Sequence, residues 1–369
     1  MIEYNKKSVF TTVKTLGSEG TKMKSQAIFA VHIGLILALL TFSSAFAYVG
    51  SGTPSDPYQI ITLADWNTLM NTPADWDNCF ILKADLDWGG LPLTPVGNDT
   101  TPFTGVFDGG GHTIRNAFIN LPDEDYVGLF GFVVGAQIRN LNAENLNITG
   151  RYYVGGLIGK VDKEWGDPPE FGSVISSCSA TGSVSGENCI GGLIGSVGSE
   201  MSNTIAIVTS CYSSCSVVSS GEEEWYDSGT GGLIGSCWGS EIANCYASGS
   251  VSGNNYVGGL IGSGGDYVAK FCYSAALVNG TFHLGGLAGE FFSSVIESCF
   301  WDVEASGQTS SFGGGIGIGL PTASMQNPEV YLRAFWDFKG EVVNGTEDIW
   351  TMPSDGGYPI LTWQTQPSP

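Results

Sequence analysis

Hydrophobic and polar residues alternate in short runs along most of the chain, and clusters of glycine, serine and asparagine separate the runs. The segments 242–246 (Ile-Ala-Asn-Cys-Tyr) and 248–251 (Ser-Gly-Ser-Val) are representative. Alternation of this kind between turn-forming residues is typical of strands with one buried face. The pattern predicts an all-β protein made of short strands joined by tight turns.

A glycine-leucine motif recurs along the chain. Its leucines are Leu129, Leu157, Leu193, Leu233, Leu260 and Leu287. The glycines that precede them are Gly128, Gly156, Gly192, Gly232, Gly259 and Gly286. Successive leucines are 28, 36, 40, 27 and 27 positions apart, so the basic unit has 27 residues and the longer intervals contain insertions. A fixed period of this size indicates a solenoid, in which each coil buries its apolar face only against its neighbours.

A second marker lies twelve residues after the leucine in the compact repeats, and it is a cysteine in most of them. The cysteines in this phase are Cys178, Cys211, Cys245, Cys272 and Cys299. Coils stack at about 4.8 Å, so we expect these side chains to form an inward ladder of small apolar groups. Metal binding or redox chemistry is the alternative. The remaining cysteines, whose pairing the sequence does not define, are Cys79, Cys189, Cys215 and Cys237.

Three short strands with their turns fit 27 residues, whereas a helix does not. The sequence therefore predicts a right-handed parallel β-helix-like solenoid of six repeats over 126–320. Residues 48–125 are expected to form an N-terminal cap and the first coil, and residues 321–369 a C-terminal cap and tail. Caps are expected because an open solenoid end exposes core and strand edges.

The N-terminal cap has its own signals. Thr62, with Asp65 three residues later, is placed to cap a short amphipathic helix. Segment 79–88 is predicted as one strand, and segment 103–119 as two strands around a glycine turn.

Residues 1–47 have the character of an export signal. Lysines precede an uncharged apolar run at 27–40, and Ala45 and Ala47 stand where signal peptidase prefers small residues. A membrane anchor is the alternative, but the run is shorter than the roughly 20 residues of a bilayer span. Met23 is a natural start, which would make 1–22 an extension of the true start site. We expect a secreted or cell-surface protein with no integral membrane span after cleavage.

The chain is strongly acidic, with a formal net charge of −22. Five of its 14 basic and two of its 36 acidic residues precede position 48, which leaves 9 and 34 and a net charge of −25. Without a basic stripe to release phosphate counterions, nucleic acid is excluded as a partner.

Common catalytic motifs are incomplete. Segment 155–160 (Gly-Gly-Leu-Ile-Gly-Lys) lacks the Ser/Thr and the helix of a phosphate-binding loop, and 313–319 lacks a dinucleotide-binding context. No Cys-x-x-Cys occurs, and after the signal only His112 and His283 remain, so zinc is not supported. Both histidines are expected in turns or in solvent.

The main enzymatic alternative is a polysaccharide-cleaving enzyme that uses paired Asp residues, because parallel β-helices host such enzymes. The repeat at 260–280 has one acid, Asp266, and one base, Lys270. Asp85, Asp87 and Asp108 lie near the first coil, where turn and cap roles account for them.

The repeated Gly-Gly-Leu-Ile-Gly resembles the GLUG motif of bacterial secreted and surface proteins, which also occurs in some streptococcal immunoglobulin-A-cleaving metallopeptidases. The flanking segments 103–116 and 344–363 also resemble sequences that accompany these repeats. The resemblance covers about 50–364 and implies an architecture rather than an activity. Those metallopeptidases carry their chemistry in a separate domain with a His-Glu-x-x-His motif, and this sequence has no such motif.

The insertions are the best functional candidates, since insertions in solenoids emerge as surface loops. Segments 160–172 and 221–230 combine acids with aromatic residues, a mixture suited to sugar stacking or to Ca²⁺-assisted contact, although no calcium motif is present and no cofactor is expected. The candidate binding residues are Asp162, Glu164, Trp165, Asp167, Glu223, Glu224, Trp225 and Tyr226. Each loop could instead simply cover itself with its own tryptophan.

The sequence thus predicts a non-enzymatic adhesion or interaction module that binds glycan or an extracellular protein. A β-helical carbohydrate-active enzyme, a polysaccharide lyase or glycoside hydrolase, and a passive structural spacer are the alternatives.

Overall fold

The computed structural model describes residues 48–162, 172–198, 206–221, 228–311 and 317–366. The predicted signal 1–47 lies outside these ranges and remains a prediction. Residues 48–369 form a compact unit of their own. Among the described residues, no helix combines the length and apolarity that a bilayer span requires.

The unit is an all-β solenoid in which the chain passes repeatedly through four parallel sheets, as predicted for the fold class. Sheet 1 has nine strands: Tyr58–Ile60, Cys79–Leu82, Val106–Asp108, Gln137–Arg139, Val174–Ser176, Ile207–Thr209, Glu241–Ala243, Val268–Lys270 and Val295–Glu297. Sheet 2 has twelve: Leu86–Asp87, Thr113–Arg115, Phe118–Asn120, Asn142–Thr149, Ser179–Gly186, Tyr212–Ser219, Tyr246–Ala247, Ser250–Ser252, Tyr273–Ser274, Leu277–Asn279, Phe300–Asp302 and Ile318–Leu320.

Sheets 3 and 4 contain five strands each. The strands of sheet 3 are Tyr152–Gly155, Asn188–Gly191, Thr230–Gly231, Val257–Gly258 and Leu284–Gly285. The strands of sheet 4 are Phe130–Val134, Ile158–Asp162, Ile194–Val197, Ile234–Trp238 and Ile261–Gly265. The prediction of three strands in each coil was therefore wrong: a coil passes through four sheets, because the glycine-rich motif divides what was taken as one strand into two short ones.

The glycine-leucine motif forms the corner between sheets 3 and 4. Leu157 is fully buried there, and its N–H donates to the carbonyl of Leu193 on the next coil at 2.9 Å. A Cβ on Gly156 would lie 2.5 Å from the carbonyl oxygen of Gly192. On Gly159 it would lie 2.5 Å from the backbone carbon of Tyr126. The glycines are thus required because backbone meets backbone, which leaves no room for a side chain.

A second corner, between sheets 1 and 2, uses residues in the left-handed backbone region. Asn140, Ser177, Ser210 and Asn244 have φ of 52–53°. Each directly precedes a ladder position, and asparagine tolerates this region better than most residues. The corner therefore turns the next side chain into the core at every coil.

The ladder cysteines are buried and stack along the solenoid. The N–H groups of Cys178, Cys211 and Cys245 donate to the Sγ of the cysteine on the following coil at 3.4 Å. Among the described residues no disulfide forms, so all nine cysteines are thiols, those outside the ladder included. Burial raises the pKa of the Cys245 thiol, so it packs as an apolar group.

The N-terminal end of the solenoid is covered by helix α1 (Leu63–Asn71). Thr62 and Asp65 form the predicted capping box, with the Thr62 N–H donating to Asp65 Oδ2 at 2.8 Å. Trp66 is fully buried, and its ring packs 5.5 Å from that of Phe107. Segment 79–88, predicted as one strand, contains two, and segment 103–119 contains parts of three, because Asp85 and Asn116 belong to corners.

The C-terminal segment 321–366 contains helices α3 (Thr322–Met325) and α4 (Pro328–Arg333) and an antiparallel pair, Trp350–Thr351 with Ile360–Leu361. Another helix, α2 (Val303–Ser306), precedes it, and 3-10 turns occur at Pro73–Asp75 and Thr362–Thr365. The buried aromatic residues of the segment pack on the outer face of sheet 2, against Tyr246, Tyr273 and Phe300. A cap closing the solenoid end was expected, but this segment lies along its side, because aromatic side chains of three coils project there.

Candidate functional site

The outer face of sheet 2 changes character along the solenoid. One column of in-register residues runs from Thr113 through Asn142 and Ser179 to Tyr212, one residue from each coil. It continues through Tyr246, Tyr273 and Phe300. The column is therefore polar in its N-terminal half and aromatic in its C-terminal half.

The aromatic half is a stack covered by the C-terminal segment. The rings of Tyr212, Tyr246 and Tyr273 lie 4.9 Å apart with interplanar angles of 3–4°. Tyr246 and Tyr273 are buried, whereas Tyr212 is half-buried. Trp363 lies beside Tyr212 with a centroid separation of 5.8 Å, and its Nε1 donates to the carbonyl of Ser210 at 3.0 Å. The covered stack ends at Tyr212.

An open cleft of about 580 Å³ begins where the stack ends. One wall is the outer surface of the first coils, and the other is the end of the C-terminal segment. The lining residues are Asp108, Gly110, Gly111, Thr113, Arg115, Asn140, Asn142, Glu144, Ser177, Tyr212, Trp363, Gln364 and Gln366. Such a mixture of a few aromatic faces and many hydrogen-bonding groups is suited to a polar ligand with apolar patches.

Ion pairs between coils fix the charged groups of the cleft. Arg115 Nε donates to Glu144 Oε2 at 2.9 Å, and its Nη1 lies 3.1 Å from Asp85 Oδ2. Arg139 Nε donates to Asp108 Oδ2 at 2.8 Å. Because each pair joins neighbouring coils, the side chains are held in place before any ligand arrives.

Both aspartates of this network are held ionised. Burial opposes ionisation of Asp108, but hydrogen bonds from Asn140 and the Gly110 N–H, together with Arg139, lower its pKa below the usual range. The pKa of Asp85 is also lowered: burial is outweighed by hydrogen bonds from the Thr113 N–H and His112 and by the charge of Arg115. The two carboxyls are therefore acceptors and not proton donors at neutral pH.

A β-bulge lies beside Glu144. The register between Asn142–Thr149 and Ser179–Gly186 shifts by one residue there, and Asn145 has φ of 52°. Its N–H donates to Thr181 Oγ1 at 3.1 Å. This additional residue explains why the first leucine interval is 28 and not 27. Bulges commonly re-aim side chains next to binding sites.

The predicted binding residues are only partly described. Asp162 ends a strand of sheet 4, and its carboxylate lies 3.1 Å from Lys160 Nζ with both side chains 12% exposed. Lys160 in turn lies 4.7 Å above the Tyr153 ring. The other seven candidates, Glu164, Trp165, Asp167, Glu223, Glu224, Trp225 and Tyr226, lie outside the described residues. Their role in binding stays a prediction.

The flanking residues show where the insertions leave the solenoid. The first departs after Asp162, between sheets 4 and 1, and the second between Gly221 and Ser228, between sheets 2 and 3. The two insertions therefore leave from different corners, and the cleft lies at a third, between sheets 1 and 2.

Sequence reasoning missed the cleft because each of its residues has a local explanation. Asp108 Oδ1 does accept from the Gly110 N–H at 2.9 Å, as its predicted turn role requires. His112, expected in a turn or solvent, pairs with Asp85 across a coil at 3.2 Å, and His283 pairs with Glu290 at 2.9 Å. One signal was available: segment 137–145 is charged and amide-rich, whereas the equivalent segments of later repeats are rich in serine, alanine and glycine.

Within the described ranges, no group of three or more His, Cys, Asp or Glu side chains is arranged to hold a metal ion. The carboxylates of the cleft are paired instead with the guanidinium groups of Arg115 and Arg139.

A family model described as the GLUG motif matches residues 150–185 and 226–252. The chain contains GLUG motifs. Each match begins before the glycine-rich motif, contains all of it and ends in sheet 2, and the resemblance inferred from the sequence is thereby confirmed.

Two relatives share parts of the sequence. Halomucin of Haloquadratum walsbyi is 35% identical over 161 residues, which are 40% of this chain and 2% of halomucin. A proposed Gly-rich membrane protein of Evansella cellulosilytica is 37% identical over 115 residues, 30% of this chain and 13% of that protein. The chain thus spans a small part of the relatives it matches. Their names are consistent with an extracellular or surface protein and do not indicate a ligand.

A crystal structure of a Bacteroides ovatus protein proposed to be an immunoglobulin A1 protease has the same fold. The TM-score is 0.66 at 22% sequence identity, and the match covers 85% of this chain and 94% of that one. At this identity the likeness establishes the architecture alone.

Proposed function

We propose that this chain is an extracellular or cell-surface recognition module that binds carbohydrate in the cleft between sheet 2 and the C-terminal segment. The observation that carries the proposal is the junction at Tyr212, where a tyrosine stack meets a cleft lined by carboxylates, amides and Arg115. Sugar rings present apolar faces to aromatic side chains and hydroxyls to polar ones, so they match both halves of this junction.

The surroundings of the cleft support recognition by a prearranged surface. Apart from the C-terminal wall, the cleft residues belong to strands and corners of the solenoid, and ion pairs between coils hold the charged ones. A ligand would therefore meet little loss of side-chain freedom on binding. The GLUG motifs and the relative named as a membrane protein support a location outside the cell or at its surface.

A glycan-cleaving enzyme is a second candidate, because Asp108 and Glu144 line the same cleft. Such enzymes need one carboxylic acid that keeps its proton at working pH. The lowered pKa of Asp108 favours its ionised form, and Glu144 is already paired with Arg115. Binding without cleavage is the better-supported hypothesis, and release of new reducing ends from a bound glycan would contradict it.

The direct test is a glycan array probed with the purified full-length chain, followed by titration of each retained glycan. We expect the Tyr212→Ala variant to lose at least tenfold in affinity, about 1.4 kcal/mol, because it removes the aromatic face on which a sugar ring would rest. Phe282→Ala is the matched control, because Phe282 is 59% exposed and does not line the cleft.

Two outcomes would overturn the proposal. One is the absence of binding to any glycan, which would favour a protein ligand or a passive spacer. The other is binding that survives Tyr212→Ala but is lost in Trp165→Ala and Trp225→Ala, which would move recognition to the insertion loops.

A further inference from the structure

The cleft is built across coils and not along one strand. Thr113, Asn142 and Tyr212 come from different coils, and Ser179 lies in register between the last two. Neighbouring strands are about 4.8 Å apart, so the three spacings from Thr113 to Tyr212 amount to about 14 Å. A ligand that uses the whole cleft must therefore run parallel to the solenoid axis, over the length of a short oligosaccharide.

One end of this path is closed by aromatic rings. The Tyr246 ring covers one side of Tyr212, and the Trp363 ring lies 5.8 Å from that of Tyr212, tilted by 31°. Beyond them the C-terminal segment covers the column, with Tyr273 only 2% exposed. The terminal ring of a ligand chain would rest against Tyr212 and Trp363, where the cleft stops.

The charges around the path disfavour an acidic ligand. Both guanidinium groups of the network are already paired, Arg115 with Asp85 and Glu144, and Arg139 with Asp108. Three carboxylates thus face two guanidinium groups, with His112 against Asp85. The whole chain has a net charge of −22. An incoming carboxylate or sulfate would be repelled, whereas hydroxyl groups can donate to carboxylate oxygens, which have about four acceptor sites for each carboxylate.

Given the carbohydrate-binding function proposed above, we infer that the ligand is an uncharged oligosaccharide lying along the solenoid axis. One terminal ring packs on Tyr212 and Trp363, and the following rings donate hydroxyl hydrogen bonds to the side chains of Asn142, Glu144 and Asp108. The cleft selects against glycans that carry carboxylates or sulfates.

Calorimetric titration of the full-length chain tests both whether the ligand is uncharged and whether it lies along the solenoid axis. The probes are β-1,4-linked glucose, mannose and xylose oligosaccharides of one to six units, and oligogalacturonates of matched length. For at least one neutral series we expect affinity to rise at least tenfold from the monosaccharide to the trisaccharide and then to level off. Its affinity should change less than twofold between 50 and 500 mM salt, because no net charge pairs with the ligand.

The acidic series should bind at least tenfold more weakly than that neutral series at 50 mM salt. Glu144→Gln should reduce the difference in affinity between the neutral and acidic series severalfold, because it removes one repelling charge. Tyr212→Ala should lower the affinity for the neutral series. Glu144→Asp is the matched control, since it keeps the charge and should leave the difference in affinity between the two series unchanged.

The possible failures separate the two proposals. If oligogalacturonates bind more tightly than every neutral series and lose affinity in Tyr212→Ala, the inference of an uncharged ligand is overturned while carbohydrate binding in the cleft stands. A monosaccharide that binds as tightly as its trisaccharide overturns the axial path. If neither series binds, both this inference and the proposed carbohydrate function are overturned.

Discussion

The two halves of sheet 2 share one interior and have different exteriors. On the inner side, the in-register residues of the five central positions, Ala143, Ala180, Ser213, Ala247 and Ser274, are small and fully buried, and Ile114 and Trp301 flank them at the two ends of the column. On the outer side, Thr113, Asn142 and Ser179 of the first half give way to three tyrosines and a phenylalanine in the second. The inner residues thus determine the structure of the coil. The outer residues do not, so the outer column can serve either as a packing surface or as a recognition surface.

The covered half depends on its aromatic column for stability. Tyr273 is buried among Trp336, Trp350 and Tyr358, and its hydroxyl donates to the carbonyl of Pro359 at 2.8 Å. We expect Tyr273→Ala to lower the free energy of unfolding by about 3–5 kcal/mol, as for other large buried aromatic residues. Urea denaturation measures this. A loss below 1 kcal/mol would show that the C-terminal segment is not held by this column.

The interior common to both halves should tolerate a smaller change at lower cost. Cys245→Ala removes one buried thiol from the ladder, and we expect a loss of about 1–2 kcal/mol with glycan affinity unchanged. In the parent protein, the eight buried thiols should react with a thiol reagent only on unfolding. Burial raises the pKa of Cys215 to about 11, which leaves little thiolate to react. Rapid reaction of several thiols in the native state would contradict this description.

The open half should contribute a weaker and pH-dependent stability. The folded pKa of Asp108 is lowered from an unfolded value near 3.9, so its contribution is present above that value and is lost as pH falls through the folded pKa. The carboxylate is partly exposed, so we expect Asp108→Asn to cost at most about 1 kcal/mol at pH 7.

The difference in unfolding free energy between the parent and Asp108→Asn should therefore shrink towards zero as the pH falls below about 4 and through the folded pKa of Asp108. Denaturation at a series of pH values measures it. A difference that grows as the solution becomes more acidic would have the wrong sign for this ion pair.

The smallest effect on stability is expected at Asn142. It lies at the cleft surface, so Asn142→Ala should change the unfolding free energy by no more than about 0.5 kcal/mol. Its effect should instead appear in glycan affinity, as a loss of severalfold. Tyr273→Ala should lower stability, whereas Asn142→Ala should lower glycan affinity, so the two variants separate the packing role of the column from its binding role. Equal losses of stability at both positions would show that the two halves do not differ in this way.

The interior of the fold could be predicted from the sequence because the same buried positions recur in every repeat. Hydrophobic periodicity and turn chemistry are local patterns that a single sequence shows. They were enough to identify Leu157 and its equivalents, the cysteine ladder and the capping box at Thr62. The additional sheet at the glycine-rich motif was missed because a strand of two residues, such as Thr230–Gly231, has no periodicity of its own.

The exterior could not be predicted in the same way. Tyr246 and Tyr273 alternate correctly for a strand, but nothing local shows that Trp336 and Trp350 lie against them some 60–100 residues later. The cleft likewise unites Arg115 with Trp363, which belong to opposite ends of the described chain. Such contacts depend on tertiary packing, and a single sequence without aligned relatives does not encode them visibly.

The path of the C-terminal segment has a practical consequence for handling the protein. Because the segment runs back along the side of the solenoid, Gln366 lies in the wall of the cleft, held near the core by the hydrogen bond of Trp363 to Ser210. An affinity tag, fluorophore or immobilisation handle joined after Pro369 would begin three residues from that wall. We therefore expect a bulky group joined there to weaken ligand binding in the cleft.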